Sequence, residues 1–202
     1  MLYSVPVQES AETPSLPPTE RVSKPFEPLT RDEEKGWIHQ GDYRIITLRV
    51  KTFQTLSNQL GAMVGSKISS IILNQLGMAC GRAVMGYSQE EIQSQGDDLP
   101  VTMDWIMRDR GFGRCVDFTW QSSGTRTTYI AKVKGSPFSH QYRSSQPSCH
   151  LVRGAIAGWL ESYLNAKAID SKETECESMG NPFCVFEVVL DKPYTQESHT
   201  TS

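Results

Sequence analysis

The sequence predicts an α+β fold, an antiparallel sheet with helices packed on it. Three observations carry this. Strand-like stretches occur in "YRIITLRV", "FGRCVDFTW", "TTYIAKVKG" and "CVFEVVL". Helical spacing of apolar residues fills about residues 52–86 and again "CHLVRGAIAGWLESYLNA". The order is strand, helices, strand pair, helix, strand, which suits an antiparallel sheet covered by helices.

Each element has its own justification. In "YRIITLRV", Ile46, Leu48 and Val50 fall on one face of a strand. The helical pattern that follows places Phe53, Leu56, Leu60, Val64, Ile68, Ile71, Ile72, Leu76, Ala79 and Ala83 at helical spacing. A break near Gly65–Ser66 would make this a helical hairpin, and without one it is a single long helix. "LPVTMDWIMRDRG" reads as a shorter helix ended by Gly111. "QSSGTR" joins the next two strands as a hairpin. Val152, Ile156, Trp159, Leu160 and Tyr163 share one face of the last helix, and Phe186, Val188 and Leu190 share one side of the last strand.

The 202 residues, 38% of them hydrophobic and 9% aromatic, suffice for one packed core and a tail. Six of the eleven prolines lie in the first 28 residues, amid Ser, Thr and Glu. Such a segment buries too little to offset its ordering entropy. The expected division is therefore a flexible tail over 1–35, a folded domain over 36–190 and a polar tail over 191–202. A net charge of -3 without a Lys/Arg stripe gives no nucleic-acid footprint. No run approaches the ~18–20 apolar residues of a membrane span, and "MLYSVPVQES" lacks the basic and apolar regions of a signal peptide. A cytoplasmic location is expected, with any membrane association through a partner. Five cysteines in a reducing compartment suggest metal ligation or plain burial rather than disulfides.

Three glycine pairs stand four apart within the helical segments: Gly61 and Gly65, Gly77 and Gly81, Gly154 and Gly158. Each glycine inside a helix costs ~1 kcal/mol relative to alanine. Close approach of another backbone compensates, whether by helix packing, at a dimer seam or against a ligand.

"ETECESMGNPFC" carries the clearest chemistry. Zinc takes thiolate, imidazole and carboxylate ligands, usually four in a tetrahedron. Glu173 and Cys176 are three apart, so one turn can bring them to a common point, and "SMGNP" can reverse the chain to deliver Cys184. The fourth ligand is either Cys149, at the edge of the preceding helix, or its neighbour His150. Burial of the thiols as small apolar groups is the competing reading.

Taken together, "SCHLVRGAIAGWLESYL" and "ETECESMGNPFCVFEV" resemble the C-terminal signature of the 4-vinyl reductase, or hydrocarbon-binding, domain family. The family pattern is a cysteine, a G-x-x-A-G helix, E-T-x-C, a glycine and C-x-F. Here it is met by Cys149, Gly154, Ala157, Gly158, Glu173, Thr174, Cys176, Gly180, Cys184 and Phe186. "ILNQLGMACGRAVMG", "RGFGRCVDF" and "GSPFSHQY" fit its weaker upstream features. The resemblance covers about Tyr43 to Leu190.

The resemblance implies a fold like the small subunits of the vesicle-tethering transport particle, which dimerise through helices. It also implies kinship with the sensor domains of aromatic-responsive activators, where a Cys–Glu–Cys–Cys zinc site lies beside an aromatic-ligand pocket. Carried over, a structural zinc would be held by Cys149, Glu173, Cys176 and Cys184. The activators continue into ATPase and DNA-binding domains that this sequence lacks, so output through a partner is expected. Other relatives act in tetrapyrrole metabolism, including chlorophyll-precursor vinyl reduction, and in photosystem assembly.

Reduction would need a hydride source, and neither a dinucleotide fingerprint nor a nucleophile–base pair is evident. A non-catalytic binding domain is the leading expectation. Its pocket would be lined by Trp105, Phe112, Trp120, Tyr129, His140 and Trp159, since aromatics with a few polar groups line small-molecule sites. The ligand would be a small apolar or aromatic molecule, with a tetrapyrrole as the larger candidate. A homodimer or heteromer would pass on its binding, without nucleic acid. A tetrapyrrole vinyl reductase or its accessory subunit, and a dimeric scaffold or assembly factor, are the alternatives.

Overall fold

The computed structural model describes residues 29–40, 43–94, 99–139 and 142–191. Its elements are β1 (Leu29–Asp32), β2 (Trp37–Gln40), β3 (Tyr43–Ile45), α1 (Val50–Val64), α2 (Ser66–Ser94), α3 (Leu99–Asp109), β4 (Arg114–Ser123), β5 (Arg126–Lys134), α4 (His150–Leu164), β6 (Ala168–Glu175) and β7 (Cys184–Leu190). They form an α+β fold with two antiparallel sheets, β1-β2-β3 and β4-β5-β7-β6.

The larger sheet follows the sequence closely. Gly124, at φ 60°, makes the turn of the β4–β5 hairpin, where Ser123 pairs with Arg126. On β7, Phe186, Val188 and Leu190 are buried. They share the core with Tyr129 and Val133 of β5 and with Val152, Ile156 and Trp159 of α4. Gly111 follows α3 at φ 68°, as the sequence predicts.

Three expectations are corrected. The strand expected in "YRIITLRV" stops at Ile45, and Val50 already opens α1. Ile46 and Leu48 are exposed, so the alternation there has no sheet face to bury against. β1 lies inside the stretch assigned to the tail, where it pairs with β2. Finally, β6 has no counterpart among the predicted elements. It is an edge strand with one buried residue, Glu173, so it carries no apolar alternation to reveal it.

The long helical pattern breaks at Gly65, whose φ of 84° is costly for a side-chain-bearing residue. α1, before the break, has no buried residue. α2, after it, lies on α4, and two glycine pairs explain how closely. A Cβ on Gly77 would meet the backbone of Leu151, and one on Gly81 the backbone of Ala155 and Trp159. Reciprocally, Gly154 faces Asn74 and Gly158 faces Met78. The helices therefore touch backbone to backbone. Arg82 Nε also donates to Glu161 Oε2 (2.7 Å), and Arg153 Nε donates to Asn74 Oδ1 (2.9 Å). Among the described residues, no helix is long and apolar enough to cross a membrane.

Candidate metal centre

Four separate points of the chain meet at the end of the larger sheet. The ladder between β6 and β7 is irregular between Glu173 and Glu175, and Glu173 is the one residue of β6 that is buried. The chain then reverses through a 3₁₀ turn, Glu177–Met179, closed by Gly180 at φ 97°. That turn separates Cys176 from Cys184, the first residue of β7. Cys149 caps the N-terminus of α4. A helical turn, the route expected from the sequence, is not what joins Glu173 to Cys176. An irregular strand end does so instead.

The geometry suits a tetrahedral ion. The sulfurs form a near-equilateral triangle: Cys149–Cys184 is 3.7 Å, Cys176–Cys184 3.8 Å and Cys149–Cys176 4.0 Å. Zinc–sulfur bonds of about 2.3 Å at tetrahedral angles would set sulfurs about 3.8 Å apart. One donor atom from each of Cys149, Glu173, Cys176 and Cys184 lies within 4.8 Å of all the others, and all four residues are buried. Glu173 Oε2 accepts the backbone N–H of Cys149 at 2.9 Å. Its Oε1 is buried without a hydrogen-bond partner, an arrangement that costs free energy unless something such as a cation satisfies it. His150, the alternative ligand, stands outside the cluster.

Protonation of the metal-free cluster is divided unequally. Hydrogen bonds from Cys149 and Cys184 hold the Cys176 thiol well below its ordinary value. Hydrogen bonding to Cys176 and Cys184, with burial, pushes Cys149 up. For Cys184 the Cys149 hydrogen bond lowers the value most, yet Cys176 and burial outweigh it and raise the thiol to about 12. Burial and the neighbouring Cys176 push the Glu173 carboxyl up to about 9. A bound cation would replace the protons that these groups keep.

Each sulfur also has a serine hydroxyl beside it. Ser136 Oγ is 3.1 Å from Cys149 Sγ, Ser139 Oγ 3.2 Å from Cys184 Sγ and Ser178 Oγ 3.0 Å from Cys176 Sγ. The Glu177 N–H donates to Cys184 Sγ at 3.4 Å. All three serines are buried. The sequence reading missed this shell, although "GSPFS" and "ESM" place small hydroxyls at the turns that flank the ligands.

The expected pocket residues are dispersed. Trp105, Tyr129 and Trp159 are core residues, while Trp120 on β4 is 39% exposed. Phe118 lies 6.1 Å from Tyr129 and 6.5 Å from Trp120 by ring centroids. Phe112 and Trp159 do meet, with Met103, Met107 and Ala155, around a cavity of about 10 Å³. That is close to the smallest space that holds one water. His140 lies outside the described residues.

Comparison with known proteins supplies a family. Residues 129–190 match the vinyl-4-reductase (V-4-R) domain. All four cluster residues and the three serines lie within this matched segment, as the C-terminal resemblance implied. Two uncharacterized proteins of Methanocaldococcus jannaschii are similar. MJ0855 is 36% identical over 27% of this chain and 24% of its own length, and MJ1642 is 44% identical over 22% and 27%. The chain thus matches about a quarter of each relative. Beyond the matched segment, the fold as a whole is similar to the phenol-responsive sensory domain of the transcription activator PoxR, solved with phenol. The TM-score is 0.64 at 16% identity, over 80% of this chain and 84% of that one.

Proposed function

We propose that this chain is a non-catalytic, zinc-containing binding module for a small apolar or aromatic molecule, acting through a protein partner in the cytoplasm. The observation that carries the zinc reading is the buried triangle of sulfurs with the unpartnered Glu173 oxygen beside it. Four protein ligands leave no open position, so the ion would be structural. Three thiolates and a carboxylate around a divalent ion would leave a net charge of about -2, which the serine hydroxyls and the Glu177 N–H offset by donating to sulfur. Ser136→Ala is expected to weaken zinc binding by about 10–100-fold with the fold kept. Competition with a chromophoric chelator measures this, and an unchanged affinity would remove Ser136 from the shell.

The ligand reading rests on the PoxR-like fold and the aromatic wall at Phe112 and Trp159. Met103 and Met107 border the small cavity, and unbranched methionines re-pack readily to admit a guest.

The partner reading rests on α2. Ile68, Ile71, Ile72 and Leu76 are exposed large hydrophobics on the helix, and Ala79 and Ala83 extend the stripe. A continuous uncharged stripe is self-complementary across a two-fold axis, so a second copy of this chain is the proposed occupant. Ile72→Glu is expected to convert a dimer to a monomer in sedimentation velocity, and a persistent dimer would place the interface elsewhere. The nearly filled core favours one second reading, a dimeric scaffold that binds no ligand. Native mass spectrometry of protein from its own host, with an absorption spectrum, separates them. One zinc per chain with an added small-molecule mass supports the binding module, and visible absorbance would identify a tetrapyrrole. Zinc without any ligand supports the scaffold, and absence of metal from reduced protein overturns the zinc reading.

A further inference from the structure

The four helical glycines of the α2–α4 contact are explained by packing, but Gly61 of α1 is not. A Cβ built on it meets nothing within 4 Å. Glycine is nonetheless the poorest helix former after proline. Gly61 faces a cleft of about 240 Å³ between α1, the first turn of α2 and the segment leading into α4.

Uncharged polar groups dominate the cleft. Gln54 and Asn58 reach it from α1, Ser69 from α2, and Tyr142, Ser148 and His150 from the opposite wall. Among the described lining residues there is no Asp, Glu, Lys or Arg. The walls are joined at the side: Gln54 Nε2 donates to the Pro137 carbonyl at 3.2 Å, and Phe53 meets Phe138 edge-on with ring centroids 6.0 Å apart. The space between them stays open. His150 Nδ1 is enclosed and has no hydrogen-bond partner. A buried polar atom of this kind signals a missing partner.

We propose that this cleft is a ligand site, separate from the aromatic cavity, for a small uncharged molecule rich in hydrogen-bonding groups, such as a nucleoside, a neutral amide or a sugar. The absence of charge among the described lining groups disfavours phosphates and carboxylates. The mixture of amide, hydroxyl and imidazole groups supplies both donors and acceptors. Aromatic faces at Phe138 and Tyr142 suit a flat ring. The volume falls just below the ~300–1,000 Å³ of sites for drug-sized ligands, so the guest is small. Gly61 keeps the floor clear for it.

The proposal is independent of the metal and of the aromatic cavity. The test uses the full chain labelled with ¹⁵N and four probes: uridine, nicotinamide, glucose and, as an apolar control, toluene. At least one of the three polar probes should shift the Gly61 and Ser69 amides and the Gln54 and Asn58 side-chain amides, saturating by about 10 mM. Gly61→Leu, which fills the cleft where no atom now stands, should weaken that binding at least tenfold with the melting temperature and metal content kept. Shifts that survive Gly61→Leu, a response to toluene alone, or no shift with any probe would overturn it. A zinc-free protein that still binds a polar probe would refute the metal reading and leave this one standing.

Discussion

Cys176→Ser is expected to leave the protein without its metal and to lower its melting temperature by about 10 °C or more. Cys176 is fully buried and sits 3.8 and 4.0 Å from the other two sulfurs. It is also the sulfur held most strongly toward thiolate, and the thiolate is the form that binds a cation. Serine offers zinc a much poorer ligand. The remaining set, two cysteines and Glu173, would have to keep the ion with one ligand missing. Metal binding is coupled to folding, so the loss appears as a stability change of several kcal/mol. In a domain of this size about 3 kcal/mol moves the midpoint by roughly 6–12 °C. Elemental analysis and calorimetry of one sample check both halves. A variant with full zinc and an unshifted midpoint would sink the coordination, whereas loss of stability in protein that never held metal would assign Cys176 to the core.

Gly158→Ala is expected to be as damaging through a different physical route. The added methyl would press on the backbone of Met78, which has no flexible end to move aside. Overpacking of a side chain costs about 1–3 kcal/mol, and a backbone clash lies at the upper end of that range. α2 and α4 would have to separate, opening the contact that Gly77, Gly81 and Gly154 also maintain. Gly61→Ala is the internal control. It has open space and should stabilise α1 by up to ~1 kcal/mol. Urea denaturation of both variants reads the contrast. Equal effects from the two substitutions would show that helix propensity, not interhelical contact, sets their cost.

The sequence made much of this visible for a physical reason. The strands β4, β5 and β7 and the helix α4 each bury a face, and burial writes itself as alternation or helical spacing. Glu173, Cys176 and Cys184 were legible because few other residues bind zinc in so short a stretch, and the family resemblance selected Cys149 over His150. β6 was not legible, because an edge strand with one buried residue carries no apolar rhythm. Ile46 and Leu48 misled in the opposite sense, showing alternation with no face to bury against in this chain. The pocket residues failed to gather because aromatic residues close in sequence need not converge. Trp120 and Tyr129 pair across the β4–β5 ladder, while Trp159 lies on α4 with Tyr163 stacked at 4.9 Å. The serine shell depends on turns that bring residues 136, 139 and 178 together, and spacing says nothing of that.

Ser148 belongs to two environments at once. Its hydroxyl lies 3.6 Å from Cys176 Sγ and 3.2 Å from Ser178 Oγ, yet the residue also lines the polar cleft. Its neighbours in sequence divide the same way, Cys149 toward the cluster and His150 toward the cleft. Thermodynamic reciprocity then applies. A molecule in the cleft that favours one position of Ser148 over another must alter ion affinity by the same factor as the ion alters its own. Measuring either affinity with and without the other species gives a single coupling constant, and two different answers would mean that equilibrium had not been reached.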